Sequence, residues 1–291
     1  NTGGLTKWDN NGFFSYYPWN TGGGLLCPTV HSVELDSAGN LWVASGGIPL
    51  LCEGGISVFD GVIWENHSLS EIYGDLTTLI NVLTLDYNGN ILLGGGLGHP
   101  LCRFIIDADE FSMLHGHDDS PEFLGVSDIL VASDSSIWIT SSHYDGLLHI
   151  RHSSKTQYTE DDGLLGNNTF FLEEDTLENI WVGFRPGGVM LFNGHDWINP
   201  FEGVFVESDI SNTGLLIDEY NRKWIGTSGK VICLSDTGYQ ELIFPGILVG
   251  ICPMAYRDEK LYCGGTGLYV IDVSTIDWDW TPLPPYNVEE P

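Results

Sequence analysis

Ser142-His143-Tyr144-Asp145 places an imidazole, a phenol and a carboxylate in one short loop. The imidazole titrates near neutrality, the phenol carries a flat ring, and the carboxylate can orient a neighbouring donor. Further along, Phe184-Arg185-Pro186 carries a guanidinium, one of only 10 basic residues set against 40 acidic ones. In so acidic a chain Arg185 either pairs with a carboxylate at the rim or turns its fork of donors toward a ligand carboxylate or sugar hydroxyl. Gly98-His99-Pro100 adds a second imidazole, and Trp19 an aromatic surface. For both histidines the plainer reading is a solvated or structural loop residue. Trp19, His99, His143, Tyr144 and Arg185 form the candidate binding set. Ring faces stack on sugars or apolar side chains while arginine and histidine give directional hydrogen bonds, which suits a neutral or mildly acidic glycan, or a loop of a partner protein, better than a nucleotide.

Other chemistries find no support in the spacing. There is no Gly-x-Ser-x-Gly elbow and no phosphate-binding loop. Asp86-Tyr-Asn-Gly-Asn90 opens like a calcium loop, but Ile91 stands where the loop needs glycine and Leu97 where it needs the closing glutamate. It reads as an Asx-turn, so no metal or cofactor is assigned; calcium elsewhere has acids enough but no motif to place it. The acid pairs Asp161-Asp162 and Glu173-Glu174 are sequence neighbours. A glycosidase instead needs carboxylates about 5–10 Å apart across a cleft. No catalytic residue is assigned.

The elements that position these loops are repeats. Asp36-Ser-Ala-Gly-Asn-Leu-Trp-Val-Ala-Ser45 is a turn leading into a tryptophan-bearing strand. It recurs at Asp86–Gly94, Asp134–Thr140, Asp175–Gly183, Asp218–Gly226 and Arg257–Gly264. The aromatic slot falls at Trp42, Leu92, Trp138, Trp181, Trp224 and Tyr262, in steps of 50, 46, 43, 43 and 38 residues. Each unit holds four strands, and a four-strand unit at this period predicts an all-β fold, a β-propeller of four-stranded blades. Second strands such as Ile180-Trp-Val are apolar at consecutive positions, as a sheet packed on both faces requires. Full repeats are predicted at about 28–70, 78–116, 126–160, 168–203, 213–245 and 249–281 of a single domain spanning 1–291, with a half-blade hairpin at 1–19. That predicts seven blades, one incomplete, with six as the alternative count. Small residues follow each tryptophan strand, where the loops open on one face around a central channel. The candidate set is predicted to gather there, near the channel mouth between the second, third and fourth units.

Asp-x-x-Gly-Asn-Leu-Trp-Val-Ala followed by Gly54-Gly-Ile-Ser-Val-Phe-Asp-Gly61 resembles the two-component regulator propeller repeat. The resemblance covers nearly the whole chain, strongly in units one, four and five and faintly in two and six. It implies a bacterial propeller outside the cytoplasm, periplasmic or on the cell surface, that binds a ligand or protein. The family signature describes blade packing and names no catalytic residue, so no site carries over from it.

The formal charge of −30 repels phosphate backbones and anionic lipid, which excludes nucleic acid and membrane-surface binding. No run approaches the roughly 20 apolar residues needed to cross a bilayer. The chain opens within a repeat, so a piece of a longer protein or assembly is expected. Six cysteines show no zinc spacing. Cys27 precedes the first strand of its unit and Cys52 lies in the loop on the same face, making Cys27–Cys52 the stronger disulfide expectation. Cys252–Cys263, flanking a hairpin turn, is the weaker one, and buried thiols are the alternative for all six. The function expected is a binding, sensor or scaffold module. The rivals are an extracellular carbohydrate-active enzyme, such as a polysaccharide lyase using Arg185 and His143, and a structural part of a surface or secretion assembly.

Overall fold

The computed structural model describes residues 3–9, 12–46, 52, 54–68, 80–96, 101–115, 125–141, 143–202, 214–227, 229–243, 253–264 and 268–283. The first two strands, β1 (Leu5–Asp9) and β2 (Gly12–Tyr16), form a two-stranded hairpin. The first blade is β3 (Val30–Leu35), β4 (Leu41–Ser45), β5 (Gly55–Phe59) and β6 (Trp64–Ser68). The second is β7 (Ile80–Leu85), β8 (Ile91–Gly95), β9 (Leu101–Ile105) and β10 (Glu110–His115). The third is β11 (Val126–Val131), β12 (Ile137–Ser141), β13 (Leu147–Arg151) and β14 (Ser154–Tyr158). The fourth is β15 (Thr169–Glu174), β16 (Ile180–Phe184), β17 (Val189–Phe192) and β18 (Trp197–Ile198). The fifth is β19 (Gly214–Ile217), β20 (Lys223–Gly226), β21 (Lys230–Ser235) and β22 (Gly238–Ile243). The sixth has β23 (Met254–Arg257), β24 (Lys260–Cys263) and β25 (Tyr269–Asp272). Strands within each sheet follow chain order and neighbours pair antiparallel. The chain divides into two compact units, 1–145 with 149–155, and 146–148 with 156–291. No helix among the described residues is long and apolar enough to cross a membrane.

The fold is therefore an all-β propeller of four-stranded blades, and two expectations need correction. The described residues form six blades, not seven. The β1–β2 hairpin pairs with no further strand among the described residues; Tyr16 instead packs its ring against Phe59 and Trp64 of the first blade, at centroid distances of 5.6 and 5.5 Å. Aromatic packing on the outer side of that blade, rather than backbone pairing, is what holds the hairpin. The last repeat, expected to be a full four-strand unit at 249–281, supplies three strands among the described residues. Its tail turns away to the fifth blade, where Thr281 and Tyr239 exchange two backbone hydrogen bonds of 2.9 Å. Pro282 follows immediately; with no N–H to donate, it suits a lone bridge better than a continued ladder.

The repeated aspartate is a latch. In the first blade Asp36 Oδ1 accepts the backbone N–H groups of Ala38 and Asn40, and its Oδ2 accepts Trp42 Nε1 at 3.0 Å. Asp175 receives Trp181 Nε1 at 2.9 Å and Asp218 receives Trp224 Nε1 at 2.8 Å in the same way. The fourth turn residue takes a left-handed backbone, with Gly39 at φ 88° and Gly89 at φ 81°. Two copies depart from the rule and show why it exists. Where Leu92 replaces tryptophan, the Asp86 carboxylate is met by Arg103 Nε from the third strand at 2.7 Å. In the shortened third copy, Ser136 Oγ takes the Trp138 Nε1 proton at 3.1 Å. A buried indole N–H or carboxylate is costly without a partner, so losing one member of the pair calls in a substitute.

Each latched indole packs on the next blade within its unit. Trp42 and Ile56 meet Ile80, Leu83, Ile91 and Phe104. Trp181 and Val189 meet Leu215, Ile225 and Ile232, and Trp224 and Val231 meet Leu261 and Val273. The second strands are buried along their whole length in β8, β12, β16 and β20, because both faces are covered. Gly94 shows how closely the blades approach: a Cβ there would run into the Val126 side chain.

Cys27 and Cys52 are disulfide-bonded, with Cα atoms 5.4 Å apart across 25 residues of chain. Cys252 lies outside the described residues, and Cys263 is buried. Cys233 is buried beside Trp224, and burial raises its thiol pKa well above the ordinary range, so it stays protonated and inert. Closing a loop of that length stabilises by about 3 kcal/mol. Cys27→Ser should therefore lower the melting temperature by several degrees, and dithiothreitol should do the same to the native protein but nothing to the variant. Equal melting of oxidised and reduced native protein would contradict this bond.

Candidate functional site

The loop after β12 is held by its own polar groups. Ser141 Oγ donates to Asp145 Oδ2 at 2.7 Å and accepts the His143 backbone N–H at 3.1 Å. This closes the turn and leaves Tyr144 with φ 65° and 73% exposed. His143 is half-buried over Gly125, where a Cβ would collide with its Nδ1. Asp145, predicted as part of a chemical trio, is thus engaged in shaping the loop. The group presented outward is the phenol ring of Tyr144.

Arg185 follows β16 at the corresponding position of the fourth blade. Its backbone N–H donates to Asn168 O, and Phe184 N–H donates to Gly188 O, both at 3.0 Å. The guanidinium lies 3.9 Å from the centroid of the Phe170 ring. Burial holds its pKa below the ordinary arginine value, yet arginine stays charged. Arg103, Arg151, Arg222, Lys223, Lys230 and Arg257 each reach a carboxylate at between 2.6 and 3.5 Å. Arg185 has no such ion pair among the described residues. The aromatic face anchors its plane while the donor edge stays available, an arrangement that suits a carboxylate, hydroxyl or carbonyl acceptor. Beside it the Asn168 side-chain oxygen is buried without a hydrogen-bond donor among the described residues.

Trp19 is exposed and stacks on Tyr17, with centroids 4.5 Å apart and planes 5° from parallel. His99 and Ser142 lie outside the described residues. Trp19, His143 and Tyr144 belong to the first unit. Arg185 belongs to the second unit. Sequence reasoning missed two features of the first unit. His149 lies flat on Trp138 at 3.8 Å, and burial lowers its pKa despite the charge of Asp134, which acts the other way. A cavity bordered by Arg103, Arg151 and Lys155 opens on the side of the Asp86 and Asp134 turns. Its signal was present: Arg103 and Arg151 sit in the third strands of consecutive repeats, which a repeat fold sets side by side.

These blades and loops define a propeller of the kind found in extracellular bacterial sensor domains and in some enzymes. Neither a protein-family model nor a curated protein matches the chain. Among solved structures it is similar to the extracellular domain of the BT4673 one component system of B. thetaiotaomicron (18% identity, TM-score 0.67, covering 87% of this chain and 35% of that one). The extracellular domain of the BT3049 hybrid two component system gives 17% identity, a TM-score of 0.66 and coverage of 89% and 35%. Virginiamycin B lyase from Staphylococcus aureus gives 14% identity, a TM-score of 0.69 and coverage of 91% and 85%. The chain spans about a third of the length of the two sensor domains. At these identities the likeness is one of fold.

Proposed function

We propose that the protein is an exported binding or sensor propeller, periplasmic or at the cell surface, recognising a glycan or a partner protein rather than transforming a substrate. The observation that carries this reading is Arg185, a charged guanidinium stacked on Phe170 with no ion pair among the described residues. In a chain of charge −30, a cation left without a carboxylate is a ready acceptor-binding group. Tyr144, held exposed by the Ser141–Asp145 turn, is a second presented group in its own unit. The sensor-domain likenesses agree with this reading, and the Cys27–Cys52 bond fits an oxidising compartment. The lyase likeness means that fold alone does not decide between binding and turnover.

The test is capture on glycan arrays and from periplasmic extracts by the wild-type chain, Arg185→Ala and Tyr144→Ala. Loss of capture at unchanged melting temperature is expected for Arg185→Ala, with a weaker loss for Tyr144→Ala. Capture that survives both changes would refute the assignment, and time-dependent depolymerisation of a captured glycan would favour the enzyme.

A further inference from the structure

We infer that the first unit carries a second, separate ligand site: a cavity between its second and third blades that takes a small hydroxylated carboxylate of the uronate type. The cavity measures about 600 Å³, within the range of about 300–1,000 Å³ usual for small-ligand sites. Three of the chain's 10 basic residues border it, Arg103, Arg151 and Lys155, with His152 at the hairpin between β13 and β14. In a protein with four acids for each base, three basic residues gathered at one cavity are the feature that needs a reason.

The cations differ in role. Arg103 is half-buried, and its Nε lies 2.7 Å from Oδ2 of the wholly buried Asp86, an ion pair without hydrogen-bond alignment that stands in for the indole the second repeat lacks. The pair is neutral, so Arg103 gives the cavity wall a fixed guanidinium rather than an uncompensated charge. Arg151 is exposed, and its one ion pair among the described residues, to Asp134 Oδ2 at 3.5 Å, is long. A guanidinium has five N–H donors, so a bidentate carboxylate can be taken without breaking that contact. Lys155 adds an exposed positive charge on the next strand.

The rest of the lining describes the body of the ligand. Ile137, Ile150 and Leu114 give an apolar floor, and the exposed Tyr87 ring gives a stacking face. Ser135 and Asp134 supply hydroxyl partners at the rim. A ring with an apolar face, several hydroxyls and one carboxylate matches each part. A polyanion does not, because the field of the whole chain opposes it outside the pocket. This site uses none of the residues assigned to Arg185 or Tyr144, so either assignment can fail alone.

The experiment is a titration of the full chain with sodium glucuronate, sodium galacturonate, glucose, sodium acetate and sodium sulfate, followed by amide chemical shifts at low salt. Both uronates are expected to shift residues around β13 and β14 with millimolar affinity, and glucose is not. Arg151→Gln with Lys155→Gln, both at exposed positions, should weaken uronate binding at least tenfold at unchanged melting temperature. Tyr87→Ala should weaken the uronates more than acetate. The inference fails if no uronate shifts these residues, if glucose binds as well as glucuronate, if the double variant binds normally, or if sulfate binds more tightly than either uronate.

Discussion

Asp175→Ala is expected to destabilise the second unit by about 3–5 kcal/mol, the penalty for stranding a buried charge. Its carboxylate is 2% exposed and accepts Trp181 Nε1, Asn179 Nδ2 and the backbone N–H groups of Leu177 and Asn179. Lys223 Nζ, on a side chain only 6% exposed, lies 3.4 Å away. Removing the acid leaves a buried ammonium and a buried indole without their partner at once. Asp175→Asn should cost less, since the amide oxygen still accepts the indole proton. The same site sets a pH dependence. Burial works against ionisation, but the hydrogen bonds of Asn179 and Trp181 and the Lys223 charge overcome it and hold the carboxyl below its ordinary 3.8. A depressed folded pKa contributes stability above the unfolded value and loses it as pH falls through the folded one. Native protein should therefore lose stability below about pH 4, and Asp175→Ala should lose less over that range. Urea midpoints at pH 7 and pH 3 check both statements, and a variant within 1 kcal/mol of native at pH 7 would sink the first.

Trp224→Ala should cost about 3–5 kcal/mol through cavity formation. The indole is wholly buried between the fifth and sixth blades, over Leu261, Cys263 and Val273. Its Nε1 shares Asp218 Oδ2 with Arg222 Nε at 2.8 and 2.7 Å. Arg222 in turn lies among the rings of Tyr220, Trp224, Tyr256 and Trp278, at 4.9 to 5.6 Å. Trp224→Phe separates the two contributions, since it keeps most of the volume and loses the donor; a loss of about 1–3 kcal/mol is expected for it. Equal losses for alanine and phenylalanine, measured by chemical denaturation, would show that the hydrogen bond and not the packing dominates.

The repeat was legible because the latch is local: aspartate, left-handed turn residue and indole fall within seven consecutive positions, so one stretch of chain carries its whole logic. The blade count was not, because it depends on what the terminal segments pair with. The β1–β2 hairpin has the pattern of two blade strands, but Tyr16 finds Phe59 and Trp64 through ring packing, which no strand pattern announces. Arg185 was legible as a rare base in a loop. Its Phe170 support depends on β15 and β16 pairing, with Thr169 opposite Phe184 and the register shifting before Phe171. Arg103 compensates for the tryptophan missing at Leu92, a role visible only once the two strands are paired.

Arg185 is proposed as a ligand-binding cation rather than a packing residue. The most direct measurement is the Nε–Hε resonance of Arg185, assigned by its loss in Arg185→Lys, followed while a captured glycan or partner peptide is added. A progressive shift of this resonance is expected, with affinity falling at least tenfold in Arg185→Ala and recovering only in part in Arg185→Lys. A saturating ligand that leaves the Arg185 resonance in place would contradict it.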